Sequence, residues 1–163
     1  MNEPEPGHWR WRDGVRAGGA AVVFDLDGVL SNASSRQHFL ERPRRDWRGF
    51  FDAAGDDALI EEVARLTELL DPGLCVVLLT ARPLRIQDRT LGWLERHQLR
   101  WDLLVMRPDG DYVPSASFKR ATVLELRGAG FDLRLAFEDD RRNVDMFHAE
   151  GVPCIYIHSG YYG

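Results

Sequence analysis

The chain has 163 residues, enough for one domain with a hydrophobic core. Hydrophobic residues make up 44% and charged residues 29%, as in a globular protein, and no apolar run approaches the roughly 18 residues that span a bilayer. The formal net charge of -5 argues against a surface that attracts polyanions in general. Of the 21 basic residues only Lys119 is a lysine, which indicates either compositional drift or a position where arginine cannot substitute.

The N-terminal segment, residues 1–19, is rich in Pro, Gly, Trp and Arg and lacks the apolar core of a signal peptide. We expect it to be a flexible arm ahead of a single domain at 20–163. Cys75 and Cys154 lie in apolar, strand-like segments without metal-binding spacing. This usage is typical of reduced thiols in a cytoplasmic protein.

Beyond the arm, short apolar segments alternate with segments of helical period. The predicted strands are 20–26, 74–80, 101–106, 133–137 and 152–157. The predicted helices are 57–70, 83–97, 115–127 and 141–150. This alternation predicts an α/β fold with a doubly wound, mostly parallel, Rossmann-like sheet. Residues 31–56 fit no strand–helix unit, and we expect them to form a small cap or lid, called the cap segment below.

The first predicted strand ends in an acidic motif, Asp25-Leu26-Asp27-Gly28. Side chains alternate along a strand, so Asp25 and Asp27 lean to the same side. Neighbouring carboxylates repel each other unless a cation or a reaction uses them. Gly28 lets the backbone turn sharply. The motif therefore predicts a functional site, with Mg²⁺ as the first candidate ligand.

Further polar residues follow other predicted strands or begin the helices after them: Thr80 and Arg82, Lys119, and Glu138-Asp139-Asp140. Because ligands bind at the carboxyl ends of parallel strands, these side chains should converge on one edge of the sheet. Together they supply anionic, hydroxyl and cationic groups. This set is typical of phosphoryl transfer, where positioning and charge neutralisation dominate catalysis.

In order and spacing these motifs resemble the haloacid dehalogenase superfamily of phosphotransferases, over roughly residues 20–158. A closer likeness is to the 3′-phosphatase domain of polynucleotide kinase/phosphatase. It lies in Thr80-Ala81-Arg82, Phe118-Lys119 and the segments 101–108 and 151–154. No GxxxxGK[ST] loop occurs, so a kinase half is not expected.

The resemblance implies a role for each matching residue. Asp25 would be the nucleophile that becomes an aspartyl-phosphate, and Asp27 the general acid and base. Thr80 and Lys119 would hold phosphate oxygens, and Arg82 and Gly28 would also contact the substrate. Mg²⁺ would be held by Asp25, the backbone carbonyl of Asp27, and Asp139. Glu138 and Asp140 are alternatives for a further acidic ligand, because the family's Asp-Asp-Arg aligns in two registers.

The predicted function is a Mg²⁺-dependent phosphomonoesterase that removes 3′-phosphate from DNA or RNA ends. A separate kinase or ligase is a candidate partner. The alternatives are a nucleotide or small-metabolite phosphatase, which the charge of -5 favours, and a non-catalytic module that binds a phosphorylated ligand. No membrane association is expected. The cap segment could bind a phosphodiester backbone, or be a solvated basic face over an aromatic core; its relevant residues are Arg36, Arg42, Arg44, Arg45, Trp47, Arg48, Phe50 and Phe51.

Overall fold

The computed structural model describes residues 5–162, and its centre is a six-stranded sheet. In spatial order the strands are β1 (Trp9–Trp11), β6 (Leu103–Arg107), β5 (Cys75–Pro83), β2 (Gly19–Phe24), β7 (Phe131–Glu138) and β8 (Cys154–Tyr156). All neighbouring pairs are parallel except β1 with β6, which is antiparallel. Two shorter strands, β3 (Ser31–Asn32) and β4 (Ala58–Leu59), form a separate antiparallel pair.

Helices cover both faces of this sheet, so the α/β, doubly wound prediction is confirmed. The α-helices are α1 (Trp47–Asp52), α2 (Glu61–Leu69), α3 (Gln87–Arg96), α4 (Ser115–Gly128) and α5 (Arg141–Ala149). Alternate residues of β2 face opposite cores: Val22 and Phe24 pack with residues of α2 and α3, and Ala21 and Val23 pack with residues of α4 and α5. The strands are apolar on both faces because both faces are covered.

The predicted helix at 57–70 begins later than expected, at Glu61. Asp57 is buried and accepts hydrogen bonds from Arg36, and the next two residues form β4 instead of a helical turn. The predicted helix at 83–97 is preceded by a short 3₁₀ turn, Leu84–Ile86. These differences come from tertiary pairing, which outweighs local helix propensity.

The prediction that residues 1–19 form a flexible arm is wrong for Trp9–Trp11, which is an edge strand of the sheet. Trp9 pairs with Val105 and Trp11 with Leu103, and both indoles pack against the core that includes Phe118 and Phe131. The unpaired edge of β6 and the burial of two large rings favour this pairing over solvation. Residues 1–4 of the predicted arm, and Gly163 at the end of the predicted domain, lie outside the described residues.

The cap segment is small and consists mostly of short helical turns. It contains β3, a 3₁₀ helix at Ser34–Phe39, α1, and a second 3₁₀ turn at Ala54–Asp56. It connects β2 to α2 and therefore begins directly after the acidic motif. In residues 5–162, no helix is both long and apolar enough to cross a membrane.

We expect Gly18→Ala to destabilise the fold by about 1–3 kcal/mol, because Gly18 has a φ of 115° and an added Cβ would lie 2.6 Å from the carbonyl oxygen of Gly130. The matched control is Gly92→Ala in the exposed interior of α3, where a Cβ meets no atom within 4 Å. That change should stabilise by about 0.5–1 kcal/mol through helix propensity. Urea unfolding measures both, and equal midpoints for the two variants would contradict the close approach at Gly18.

Candidate active site

The carboxyl ends of the central strands bring the predicted residues to one edge of the sheet. Asp25 and Asp27 follow β2, Thr80 and Arg82 lie in β5, and Glu138 ends β7 with Asp139 beside it. Lys119 reaches the same place from α4. Strand ends and one helix therefore assemble residues that are more than a hundred positions apart in the chain.

The turn after β2 requires glycine at position 28. Its φ is 84°, and its amide donates to the carbonyl of Ser31 at 2.8 Å. A Cβ at Gly28 would overlap the carboxylate of Asp139. Gly28 therefore allows the β2 turn and Asp139 to approach each other, a role in addition to the substrate contact predicted for it.

Lys119 joins two carboxylates inside the protein. Its Nζ lies 3.1 Å from Asp25 Oδ1 and 3.1 Å from Glu138 Oε2, and its side chain is 2% exposed. Burial alone would lower the pKa of Lys119, but the charges of Asp25 and Glu138 raise it above its ordinary value, so the ammonium stays charged. Asn143 donates to Glu138 Oε1 at 2.7 Å and completes this set.

Asp139 is the least satisfied group of the site. It is 1% exposed, and neither of its carboxylate oxygens has a hydrogen-bond partner among residues 5–162. Burial, followed by the charge of Asp25, raises the pKa of Asp139 to about 9. Ligand oxygens of Asp25, Glu138 and Asp139 all lie within 4.8 Å of one another. A buried, uncompensated carboxylate in such a cluster fits a divalent cation with oxygen ligands.

Asp27 has different charged neighbours from the acidic cluster of Asp25, Glu138 and Asp139. Arg82 Nη2 donates to Asp27 Oδ1 at 2.7 Å, and Arg36 Nη2 donates to the same oxygen at 2.8 Å. Burial would raise the pKa of Asp27, but the charges of Arg82 and Arg36 lower it below its ordinary value. The two carboxylates of the motif thus have unlike environments: Asp25 is beside a lysine and acids, and Asp27 is between two guanidiniums.

A third carboxylate, Asp57, holds both guanidiniums in place. Arg36 donates to its two oxygens at 2.7 and 2.6 Å, and Arg82 Nη2 lies 3.4 Å from Oδ2. Asp57 also accepts from the Ser31 hydroxyl, and the Trp93 indole donates to its backbone carbonyl at 2.8 Å. Sequence reasoning missed Asp57, which looked like the start of a helix, and no local pattern could have identified its partners.

Two predicted ligands have placements that differ from expectation. Arg82 was predicted to contact phosphate, but it is fully buried and its donors are used by Asp27, Thr90, Ser31 and Asp57.

Asp140 was an alternative metal ligand, but it caps the start of α5. It accepts hydrogen bonds from the amide of Arg142 at 3.0 Å and from the Arg142 guanidinium at 2.9 Å. Asp140 therefore satisfies a helix terminus, and we leave it out of the metal set.

Thr80 lies where it was predicted, at the carboxyl end of β5, and is 1% exposed. Its hydroxyl oxygen accepts from the amide of Arg82 at 3.1 Å. The hydroxyl proton is thus directed elsewhere, and it remains available as a donor to an anion at the site.

Residues 19–162 match the family described as "Polynucleotide kinase PNKP phosphatase domain". No curated protein matches the chain significantly. Among solved structures, a chain of the Pnkp1/Rnl/Hen1 RNA repair complex is 27% identical, with a TM-score of 0.74 over 95% of this chain and 47% of the other. This chain thus spans about half the length of that relative.

Two more distant structures share the fold. The class C acid phosphatase from Bacillus anthracis is 16% identical, with a TM-score of 0.59 over 91% of this chain and 70% of the other. A haloacid dehalogenase-like protein, SP0104 from Streptococcus pneumoniae, is 13% identical, with a TM-score of 0.57 over 90% and 91%. The family match covers nearly the whole chain, and this protein belongs to the PNKP phosphatase domain family, as a phosphatase of the haloacid dehalogenase type.

Proposed function

We propose that the protein is a Mg²⁺-dependent phosphomonoesterase that works through an aspartyl-phosphate and removes 3′-phosphate from nucleic-acid ends. The observation that supports this chemistry is that the two aspartates of the acidic motif have different charged neighbours. Asp25 lies against Lys119 and the acidic cluster, whereas Asp27 is held separately by Arg36 and Arg82. A non-catalytic module that binds a phosphorylated ligand does not require two aspartates with different environments.

Asp25 is oriented for attack by one of its two oxygens. Oδ1 accepts from the amide of Leu26 at 2.8 Å and from Lys119 Nζ at 3.1 Å. Oδ2 is then the oxygen that forms the bond to phosphorus while the bond from phosphorus to the leaving alcohol breaks. The Lys119 ammonium and the Thr80 hydroxyl lie where they can stabilise charge on the phosphoryl oxygens.

Asp27 is the group that moves protons. In the first step it donates a proton to the departing alkoxide, and in the second it accepts one from the water that splits the aspartyl-phosphate. Arg36 and Arg82 stabilise the carboxylate that exists between the steps. Because they lower the pKa of Asp27, its protonated form is scarce at neutral pH, and the first step should favour acidic conditions.

Mg²⁺ fits the unsatisfied carboxylate of Asp139. Asp25 and Asp139 would hold it, with Glu138 close enough to contribute and the backbone carbonyl of Asp27 as the further ligand predicted from the resemblance. When bound, the ion would reduce the repulsion between the anionic nucleophile and an anionic substrate. Lys119 would neutralise part of the same charge, through its contacts with Asp25 and Glu138.

The choice of a nucleic-acid 3′ end is supported by the family and by the small cap segment. A short cap leaves room for the terminus of a polymer, and the Pnkp1/Rnl/Hen1 structure is described as an RNA repair complex. That relative is about twice as long as the part this chain covers. We propose that a kinase or ligase acts alongside this phosphatase, as a separate protein or on the same chain.

Asp139→Asn is expected to remove the response of the protein to Mg²⁺. In the unliganded wild type, a pKa of about 9 at Asp139 means that folding favours the protonated carboxyl, so stability falls as the pH rises from about 4 towards 9. Mg²⁺ should raise the Tm of the wild type more at pH 8 than at acidic pH. The Asn variant should have a higher Tm without metal at pH 8 and no shift with it. Thermal unfolding measures both, and an equal Mg²⁺ shift in the two proteins would contradict the assignment.

Asp27→Asn should separate the two chemical steps. A p-nitrophenolate leaving group needs no proton, so the variant should still release one equivalent per site in a rapid burst and then stop. An alkyl phosphate should lose about 10²–10⁴-fold in its first step, because its leaving group needs an acid. Rapid-quench kinetics and the mass of the phosphorylated protein test this. Equal losses for the two substrates would remove Asp27 from its acid role.

The substrate is tested by comparing kcat/KM for a 3′-phosphorylated oligonucleotide, its 5′-phosphorylated isomer and free nucleoside monophosphates. We expect the 3′-phosphorylated oligonucleotide to be preferred by about ten-fold or more over each. Asp25→Asn is the control for contaminating phosphatases and should lose about 10³-fold or more. Equal or faster turnover of free nucleotides would support a nucleotide phosphatase, the function favoured by the net charge of -5.

A further inference from the structure

Two exposed arginines of the cap segment, Arg44 and Arg45, differ from most other arginines of the described residues. Within residues 5–162, Arg10, Arg44 and Arg45 are the only arginines whose side chains make no hydrogen bond, ion pair or aromatic contact. Two of these three are neighbours in the loop between the 3₁₀ helix at Ser34–Phe39 and α1. Two adjacent, uncompensated guanidiniums create a local positive field on a chain whose net charge is negative.

An aromatic side chain, Trp47, follows two residues after Arg45 and packs on two phenylalanine rings. Trp47 stacks on Phe51 at a centroid distance of 5.9 Å and contacts Phe50 edge-on at 5.8 Å, yet the residue remains 47% exposed. Asp46 accepts from the amide of Gly49 at 2.9 Å and begins α1 at this position. One face of the indole is thus held by the protein while the residue still offers surface to a partner. We define the cap arginine surface as Arg42, Arg44, Arg45, Trp47 and Arg48.

The cap arginine surface is physically connected to the candidate active site through Arg36. Arg36 Nη1 donates to the carbonyl of Phe50 in α1 at 2.9 Å, and its Nη2 donates to Asp27 at 2.8 Å. The loop that carries Arg44 and Arg45 therefore starts at the 3₁₀ helix that contains Arg36 and ends at α1, which Arg36 contacts through Phe50.

The neighbouring rim of the site has the opposite charge. The connection from β6 to α4 carries Asp109 and Asp111, and it begins at the same carboxyl edge of the sheet. Asp109 accepts from the amide of Arg85, which holds this loop against the turn after β5. Asp109 and Asp111 disfavour a polyanion at this connection, whereas Arg44 and Arg45 favour one at the cap segment.

We propose that the cap arginine surface binds the single-stranded nucleic-acid chain that leads to the 3′-phosphate. Arg44 and Arg45 contact phosphodiesters upstream of the terminus, and Trp47 stacks a base. Arg42 and Arg48 lie at its edges, where their charges are offset by Asp46 and Asp52 at 3.5 and 4.0 Å. This inference rests on the proposed function and specifies how its polymeric substrate is recognised.

The test is a comparison of two double variants that lose the same charge. Arg44→Ala/Arg45→Ala removes the two uncompensated guanidiniums, and the control Arg65→Ala/Arg134→Ala removes two exposed arginines that pair with Glu68 and Asp132. The substrates are a 3′-phosphorylated single strand of about twelve nucleotides, a length within the range that such surfaces bind, and p-nitrophenyl phosphate. KM and kcat are measured for each over a series of salt concentrations.

We expect Arg44→Ala/Arg45→Ala to raise the KM for the oligonucleotide about ten-fold, with its kcat retained, and to reduce the slope of log affinity against log salt by about 1.4. The control should match the wild type. Trp47→Ala should raise the KM for the oligonucleotide about five-fold or more, with no effect of salt on the difference. No rise is expected for p-nitrophenyl phosphate, which has no second phosphate.

Two results would overturn the inference while the proposed function stands. One is an oligonucleotide KM that is the same for the two double variants; the other is a KM for p-nitrophenyl phosphate that rises as much as that for the oligonucleotide. Failure of the proposed function looks different: the wild type would hydrolyse p-nitrophenyl phosphate but not the 3′-phosphorylated strand. Circular dichroism and thermal unfolding of the variants confirm that each is folded before comparison.

Discussion

Five carboxylates crowd one edge of the sheet, and the protein can bury them only because three cations are buried with them. Asp27 and Asp57 share Arg36 and Arg82, whereas Asp25 and Glu138 share Lys119. A buried charge without a partner costs several kcal/mol, so each cation offsets the desolvation of the acids around it. Among the described residues, Asp139 is the one of these five acids without a cationic partner, and its oxygens are the place where a further cation fits.

This pairing also explains how two aspartates only two residues apart can differ in chemistry. Lys119 and the acidic cluster orient Asp25 and leave one of its oxygens available. Arg36 and Arg82 favour the ionised form of Asp27 and fix its direction. The cap segment contributes to this directly, because Arg36 belongs to it and contacts both Asp27 and Asp57. The cap segment is therefore part of the electrostatic structure of the site.

Much of the fold and part of the site could be predicted from the sequence. Short apolar runs placed the parallel strands and helical periods placed the long helices, because strands covered on both faces and helices covered on one face bury apolar side chains in those patterns. Lys119 stood out by composition, and Asp25 and Asp27 by their position after an apolar strand. The edge strand Trp9–Trp11 was missed because three residues are too few for a pattern and its stability comes from the vacant edge of β6. The late start of α2 was missed because Asp57 is needed elsewhere.

The sequence by itself determined the covalent order of the functional groups: an acidic pair and glycine after a strand, a hydroxyl, a lysine, and a distal acidic cluster. Only the tertiary structure decided which charge faces which. It turned Arg82 from a predicted phosphate ligand into a buried partner of Asp27, and it used Asp140 to start α5. The physical reason is that ion pairs and hydrogen bonds depend on distances of a few ångströms between residues far apart in the chain, and no local pattern encodes those distances.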